Sequence, residues 1–166
     1  MTTLKNLQDA FAGESQANRK YLAFAARAEK EGFAQVAKLF RAVAEAETIH
    51  AHAHLRVMDG VGNTVDNLRA AIAGEAHEFT SMYPGFVAEA RQEGNKRAMQ
   101  SMQSAMDVEK VHHQLFEQAL AAVAEGRDLT GLDLYLCPVC GHVEWGQPPE
   151  QCPVCNLQQD KYLKMG

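Results

Sequence analysis

The chain has 166 residues, of which 46% are hydrophobic and 22% charged, a balance typical of a folded protein with an apolar core. Sixteen basic and twenty-one acidic residues give a formal net charge of −5, which argues against a general nucleic-acid binder because such a protein needs a basic face. No apolar run approaches the roughly 18 residues of a membrane span, and the N-terminus lacks the apolar stretch of a signal peptide. We therefore expect a soluble, cytoplasmic protein with neither a nucleic-acid nor a membrane partner.

Residues 1–125 have the composition of long helices, being rich in Ala, Glu, Gln, Lys, Leu and Met. Apolar residues recur at helical spacing, and proline is absent before Pro84. Helix breakers divide the region into four segments at Gly32, Asp59–Asn63, Gly94 and Gly126. The pattern predicts an all-α, antiparallel four-helix bundle, with Asn63 or Thr64 as the cap of the third helix.

The helical region contains an internal repeat. In the first half Glu14 precedes Glu31-Gly32, with Glu47 fifteen residues after Gly32 and His50 three further on. The second half has the same order, except that its first interval is one residue longer: Glu75, Glu93-Gly94, Glu109 and His112. The third segment also contains Pro84, which should kink its helix. A one-residue insertion near the kink, in the form of a π-bulge, is our hypothesis for the extra residue.

The repeat places acidic and imidazole side chains on the same helix faces. Residues three apart share a face, so Glu47 with His50 and Glu109 with His112 can each aim at one point. Glu14 and Glu75 would approach from the other two helices, and Glu78 lies three residues after Glu75. Buried together without cations these groups would be strongly destabilising, and oxygen and nitrogen ligands suit iron or manganese. We therefore predict a di-metal site, against the alternative of a charged surface.

Two tyrosines and five further histidines are not among the predicted metal ligands. Tyr21 and Tyr83 lie about two turns after Glu14 and Glu75, where a ligand carboxylate would satisfy a buried phenol. The remaining histidines are interpreted as surface or packing residues, and the sequence alone leaves their roles open: His52, His54 (which could also support the metal ligands), His77, His113 and His142.

The C-terminal segment differs from the helical region in being rich in Cys, Pro and Gly from about Leu132. We place the domain boundary between residues 1–130 and 131–166. Two Cys-x-x-Cys motifs there, Cys137/Cys140 and Cys152/Cys155, are typical of a four-thiolate metal site. Disulfides are a weak alternative without a secretion signal. Spacing does not separate zinc from iron, and we favour iron because a redox-capable site beside an oxidisable di-metal site makes chemical sense.

Together these motifs resemble the rubrerythrin family. The residues that carry the resemblance span nearly the whole chain: Ala12-Gly-Glu-Ser-Gln-Ala17, Glu47-Thr-Ile-His50, Gly74-Glu-Ala-His-Glu78, Met82-Tyr-Pro84, Glu109-Lys-Val-His112 and the four cysteines. The resemblance implies a ferritin-like di-iron bundle followed by a small rubredoxin-like domain of strands and loops. It also implies a homodimeric peroxide reductase, a non-haem di-iron oxidoreductase that defends against oxidative stress by reducing hydrogen peroxide to water.

The resemblance also assigns roles to matching residues. Glu47 and Glu109 would bridge two iron atoms, Glu14 would bind one of them, and Glu75 with His112 would bind the other. The first iron would alternate between Glu78 and His50 with redox state, and Tyr21 and Tyr83 would lie just outside the ligands. Cys137, Cys140, Cys152 and Cys155 would hold a third iron, which receives electrons from rubredoxin or an NAD(P)H-dependent rubredoxin reductase.

Several alternatives stay open at this point. Zinc or manganese could replace iron, and the same di-iron chemistry could serve a ferroxidase or iron-storage protein that uses O₂. A structural or regulatory protein with zinc in the tail is the other alternative. If the tail lies too far from its own bundle, we expect electrons to cross between subunits, with exchanged helices as one arrangement.

Overall fold

The structure is a computed structural model that describes residues 2–131 and 133–166. Met1, the first residue of the predicted helical domain, and Leu132, where the composition was expected to change, lie outside the described residues. The chain forms two compact units, the first ending at Gly62 and the second beginning at Asn63. Within the described residues no helix is both long and apolar enough to cross a membrane.

The first unit is a hairpin of two long helices, α1 (Thr3–Lys30) and α2 (Ala34–Val57). The Thr2 side chain caps α1 by accepting a hydrogen bond from the Lys5 amide at 3.3 Å. Gly32 adopts a φ of +86°, a left-handed conformation that ends the helix and that glycine reaches without strain. The predicted break at Gly32 is therefore confirmed.

Small residues let α1 and α2 approach closely. The buried apolar positions of the hairpin are all alanines: Ala25, Ala28, Ala37, Ala44 and Ala51. The rings of Tyr21, Phe24 and Phe40 contact one another beside them, with the Phe24 and Phe40 centroids 5.6 Å apart. Asn18 is buried among these residues and donates hydrogen bonds to α2. These contacts hold the two helices against each other.

The second unit begins with a helical segment that changes type midway. It comprises α3 (Thr64–His77), a π-helical turn (Glu78–Met82) and α4 (Tyr83–Gln92). The Asn63 side chain caps α3 by accepting from the Asp66 amide at 2.9 Å. The π-turn ends two residues before Pro84, which lies in the first turn of α4. The predicted one-residue insertion and its π-bulge form are thus confirmed, and the bulge frees the proline from the need for an amide donor.

Helix α5 (Lys96–Ala124) packs against α3 and α4 and is followed by a small sheet. The sheet has three short antiparallel strands in the order β2-β1-β3: β1 (Leu134–Leu136), β2 (Val143–Trp145) and β3 (Leu163–Met165). A 3₁₀ turn (Gln159–Lys161) precedes β3. Cys137, Cys152 and Tyr162 form the buried centre of this tail. A core this small needs additional stabilisation, which the cysteines can supply through a metal.

Candidate metal centres

The four cysteines lie together in the tail. Each sulfur of the first Cys-x-x-Cys motif lies 3.5 Å from a sulfur of the second. The two contacts are Cys137 with Cys155 and Cys140 with Cys152. All four sulfurs lie within 4.8 Å of one another, and the cysteines are free. A tetrahedral metal with bonds of about 2.3 Å to sulfur requires sulfur–sulfur distances of about 3.8 Å, so the cluster has the size of a tetrathiolate site. The geometry therefore favours a metal over disulfides.

The surroundings of these thiols favour a bound cation. Burial raises the pKa of the Cys140 thiol and of the Cys155 thiol. Burial also opposes ionisation of Cys152, but hydrogen bonds from the Tyr162 hydroxyl and from the amides of Cys155 and Val154 lower its pKa to about 6. Four crowded thiolates repel one another in a buried site, and a metal ion removes that repulsion.

A first carboxylate–histidine triad lies on the α1–α2 hairpin. Glu14 of α1 and Glu47 and His50 of α2 offer ligand atoms within 4.8 Å of one another. His50 Nδ1 lies 3.0 Å from Glu47 Oε2, as expected for residues three apart on a helix. The Glu47 side chain is largely buried, whereas that of His50 is 56% exposed. The structure thus brings together three of the predicted ligands on this hairpin.

A second triad lies in the second unit with the same composition and spacing. Glu75 of α3 and Glu109 and His112 of α5 offer ligand atoms within 4.8 Å of one another. His112 Nδ1 lies 2.8 Å from Glu109 Oε2 and 3.9 Å from Glu75 Oε2. Glu78, at the start of the π-turn, lies close enough to Glu109 for the two carboxyls to influence each other. The structure thus brings together three of the predicted ligands of this half, with Glu78 beside them.

The electrostatic surroundings of the second triad favour the binding of a cation. Burial, together with the neighbouring carboxyls of Glu109 and Glu78, raises the pKa of Glu75 to about 8. Burial and Glu109 likewise raise the pKa of Glu78, and burial and three nearby carboxylates raise that of Tyr83. Glu75 Oε2 is buried without a hydrogen-bond partner. A metal ion would supply the partner that this buried carboxylate oxygen lacks and would offset the repulsion from the neighbouring carboxylates. The oxygen and nitrogen ligands of the triad fit iron or manganese.

A contact that sequence reasoning missed joins this triad to the tail. His112 Nε2 lies 3.0 Å from the carbonyl oxygen of Gly141, the residue after Cys140. A carbonyl only accepts, so Nε2 carries the proton and Nδ1 is left free to bind a metal. Gly141 has a φ of +89°, and a Cβ built there would lie 3.8 Å from Val108 on α5. No pattern in the sequence predicts a hydrogen bond from a side chain to a distant backbone carbonyl.

The remaining predicted residues occupy varied surroundings. Tyr83 faces the carboxylates of its half, whereas the Tyr21 ring packs on Phe24 and Phe40. The histidines interpreted as structural are distributed as follows: His52 lines a cavity of about 210 Å³ with Glu47, His54 lies in the last turn of α2, His77 ends α3, His113 packs edge-on against Phe79, and His142 is buried beside Tyr162.

Comparisons with known proteins agree with this geometry. The family described as Rubrerythrin matches residues 5–120, and the one described as Rubrerythrin, rubredoxin-like domain matches residues 135–162. Rubrerythrin-2 of Clostridium acetobutylicum is 35% identical over 94% of this chain and 92% of its own length. Nigerythrin of Nitratidesulfovibrio vulgaris is 34% identical over 97% and 85%. A solved structure, the partially reduced state of nigerythrin, aligns with a TM-score of 0.60 and 31% identity over 99% of this chain and 87% of that one.

The fold and the clustered ligands define a ferritin-like helical protein with a rubredoxin-like four-cysteine tail. The chain belongs to the rubrerythrin family, whose members are di-iron oxidoreductases. The family resemblance and the fold class expected from the sequence are thereby confirmed.

Proposed function

We propose that the chain reduces hydrogen peroxide to water at a di-iron centre, with electrons delivered one at a time by an iron atom in the tail. The observation that carries the proposal is the presence of two matched Glu/Glu/His triads and a four-cysteine site on one chain. A solved relative is described as the fully reduced, all-ferrous state of nigerythrin, which supports iron as the metal. When bound, the iron pair would supply the two electrons that cleavage of an O–O bond requires.

We propose that the predicted ligands of both triads hold iron, with the roles that the family resemblance implies. Glu47 and Glu109 would bridge the irons, Glu14 would bind one iron, and Glu75 with His112 the other. The largely buried side chains of Glu47 and Glu109, 15% and 17% exposed, suit bridging positions. Glu78 and His50 would alternate on the first iron. The position of Glu78 beside Glu109 and the exposed ring of His50 support a ligand pair with freedom to change.

Peroxide reduction consumes protons, and groups beside the second triad can hold them. The raised pKa of Tyr83 keeps the proton on its Oη atom, next to Glu75, Glu78 and Glu109. A neutral phenol can donate a hydrogen bond to oxygen species at the centre and to the carboxylates themselves. Tyr21 is the corresponding residue of the first half, and we propose the same role for it.

Electrons would enter through His112. Its ring contacts Glu109 on one side and the Gly141 carbonyl on the other, one residue from Cys140. The tail and α5 that make this contact belong to the same chain, which supports a route within one subunit for this half. A rubredoxin or an NAD(P)H-dependent rubredoxin reductase would reload the tail, and a cytoplasmic location stays a prediction.

We also propose that the protein is a homodimer. Helices α1 and α2 carry large apolar side chains that are exposed, with Leu39 63% and Ile49 61% accessible. Apolar side chains of this size on one hairpin are typical of an association surface. We expect a second copy of the chain to cover these side chains, and analytical ultracentrifugation would show it as a particle of twice the mass of one chain. A large symmetric shell would instead favour iron storage.

The decisive experiment mixes fully reduced, iron-loaded protein with hydrogen peroxide under anaerobic conditions. We expect fast oxidation, reported by the return of the visible band of the tail iron, and a metal content of about three iron atoms per chain. His112→Gln should slow the return of this band, whereas His113→Gln, on the adjacent residue, serves as the matched control. Faster oxidation by O₂ than by peroxide would favour a ferroxidase, and zinc in the tail a structural protein.

A further inference from the structure

We infer that two copies of the chain exchange their α1–α2 hairpins, so that each iron pair is held by the hairpin of one copy and by the α3–α5 segment of the other. The inference rests on the proposed function, because it concerns the irons that the predicted ligands would hold. It goes beyond a homodimer in stating what each copy contributes to a centre. One copy supplies Glu14, Glu47 and His50, and the other supplies Glu75, Glu78, Glu109 and His112.

The link between α2 and α3 is short. It comprises the six residues from Met58 to Asn63, which follow the end of α2 and precede the start of α3. A link of this length spans about 25 Å when fully extended. Its first residues do not extend, because the amides of Met58 and Gly60 bond back to the carbonyls of His54 and Leu55 in α2. The distance that the link can cover is therefore shorter than its residue count indicates.

A ferritin-like bundle built from a single chain needs a longer connection. In this class one connection crosses over along the bundle, so that the next helix starts at the opposite end. The crossover has to join the two hairpins, because the helices within each hairpin are joined by tight turns at Gly32 and Gly94. It must then cover the length of α2, whose 24 residues rise about 36 Å. The link is too short for this, whereas hairpins exchanged between two copies need no crossover within a chain.

Both ligand-bearing segments carry apolar rings that a second copy would cover. Each half of the repeat contains a Tyr-x-x-Phe pair, Tyr21 with Phe24 and Tyr83 with Phe86. The two rings of each pair contact each other, with centroids 6.2 Å and 6.3 Å apart. Phe24 is 47% exposed and Phe86 is 46% exposed. Exposed aromatic rings at equivalent places in the two halves are typical of surfaces that meet in an assembly.

The α3–α5 segment and the tail also offer an apolar groove beside the second triad. It has a volume of about 360 Å³, and its lining includes His112, Phe116 and Trp145. On the hairpin, Val36 lies about three turns before Glu47 on the same helix face and is 45% exposed. Burial of these side chains against a second copy would remove apolar surface from water next to the metal ligands. A drier site also strengthens the attraction between the carboxylates and a cation.

The test uses two full-length variants, each defective in one triad. The first carries Glu14→Ala and Glu47→Ala, and the second carries Glu75→Ala and Glu109→Ala. Both should fold, because removal of clustered carboxylates relieves repulsion in the metal-free chain. The two variants are expressed together with different affinity tags that do not bind metal, and the mixed dimer is purified through both tags.

Exchanged hairpins restore one centre in this mixed dimer. That centre combines the intact hairpin of the second variant with the intact α3–α5 segment of the first. We expect about half as many iron pairs per dimer as in the natural protein, measured from the exchange-coupled signal in electron paramagnetic resonance, which a lone ion does not produce. Dimers of either variant alone should contain no iron pair.

A second mixture predicts the opposite result and serves as the matched control. It pairs the natural chain with a chain that carries all four substitutions. Exchanged hairpins leave this mixed dimer without an intact centre, whereas centres formed within one chain leave it with one. An iron pair in the second mixture would overturn the inference. So would a first mixture that yields no dimer through both tags, or a dimer of natural helical circular dichroism without an iron pair.

Failure of the inference and failure of the proposed function are distinguishable. If hairpins are not exchanged, the natural chain still loads its iron pair and is still oxidised by peroxide, so the proposed function stands. A natural chain that binds no iron pair would overturn both. Native mass spectrometry of the natural protein adds a readout independent of activity, since a monomer that retains its iron pair would overturn the inference alone.

Discussion

Asn18 is a polar side chain buried between α1 and α2, and its replacement measures how the first ligand-bearing hairpin is held together. It is 8% exposed, and its Nδ2 donates to the Ala44 carbonyl at 2.7 Å and to Thr48 Oγ1 at 2.8 Å. Asn18 lies one turn after Glu14, and Thr48 follows Glu47. The two bonds therefore tie together the turns that carry two of the predicted metal ligands.

The expected magnitude follows from counting these bonds. A hydrogen bond of this kind contributes about 1 kcal/mol net, so Asn18→Ala should lower the free energy of unfolding by about 2 kcal/mol. Thr48→Val removes the bond from Asn18 and also the longer bond, 3.3 Å, that the Thr48 hydroxyl donates to the Ala44 carbonyl of its own helix, and it should lower the free energy of unfolding by about 1 kcal/mol. Asn18 Oδ1 is buried without a partner, and its removal offsets part of the loss in Asn18→Ala. A double-mutant cycle should give a coupling between the two residues of about 1 kcal/mol.

Urea unfolding of the metal-free chain, followed by circular dichroism, is the appropriate assay because bound metal would mask the difference. Ser15→Ala is the matched control, since the Ser15 hydroxyl bonds to the Phe11 carbonyl of its own helix at 2.7 Å and does not join the two helices. A coupling energy below about 0.3 kcal/mol, or an Asn18→Leu variant as stable as the natural chain, would refute the reasoning.

Two further predictions concern the metal sites themselves. Because the pKa of Glu75 rises from 4.5 to about 8 on folding, the metal-free chain binds a proton there that the unfolded chain releases. Its thermal midpoint should fall as pH rises from about 4.5 through about 8, and Glu75→Gln should flatten this profile, whereas an unchanged slope would contradict the assignment. Cys152→Ala should abolish the visible band of the tail iron and unfold the tail while the helical circular dichroism persists; loss of the helical signal as well would show that the helices depend on the tail.

The helical architecture was predictable because its signals are local. Gly32, Gly94 and Gly126 each adopt positive φ beyond a helix end, as their positions between helical segments suggested. The π-turn at Glu78–Met82 was predictable for a different reason, since the repeat has one extra residue in its second half and Pro84 needs a break in hydrogen bonding. Glu47 with His50 and Glu109 with His112 meet because spacing of three fixes a common helix face.

What the sequence left open depends on contacts between elements distant in the chain. The partner of His112 Nε2 is a backbone carbonyl of the tail, and any residue type would supply the same oxygen. The neighbours of His142 and Tyr162 depend on how the 3₁₀ turn packs against β2. Segments this short have no periodic pattern from which that packing could be predicted. Asn18 has a polar side chain at a position whose burial follows only from the closeness of α1 and α2.

Two departures from the repeat lie in its second half. A strict duplication would produce equivalent triads, and the Glu-x-x-His geometry is indeed the same in both. Yet the second half alone has the extra carboxylate Glu78, where the first has Ala17, and its His112 is 24% exposed against 56% for His50. The Gly141 carbonyl contacts the ring of His112, whereas more than half of the His50 ring is exposed, so the two imidazoles differ in their freedom to move. In the proposed function the held ring would serve electron entry, and the free ring would be the ligand that binds and leaves.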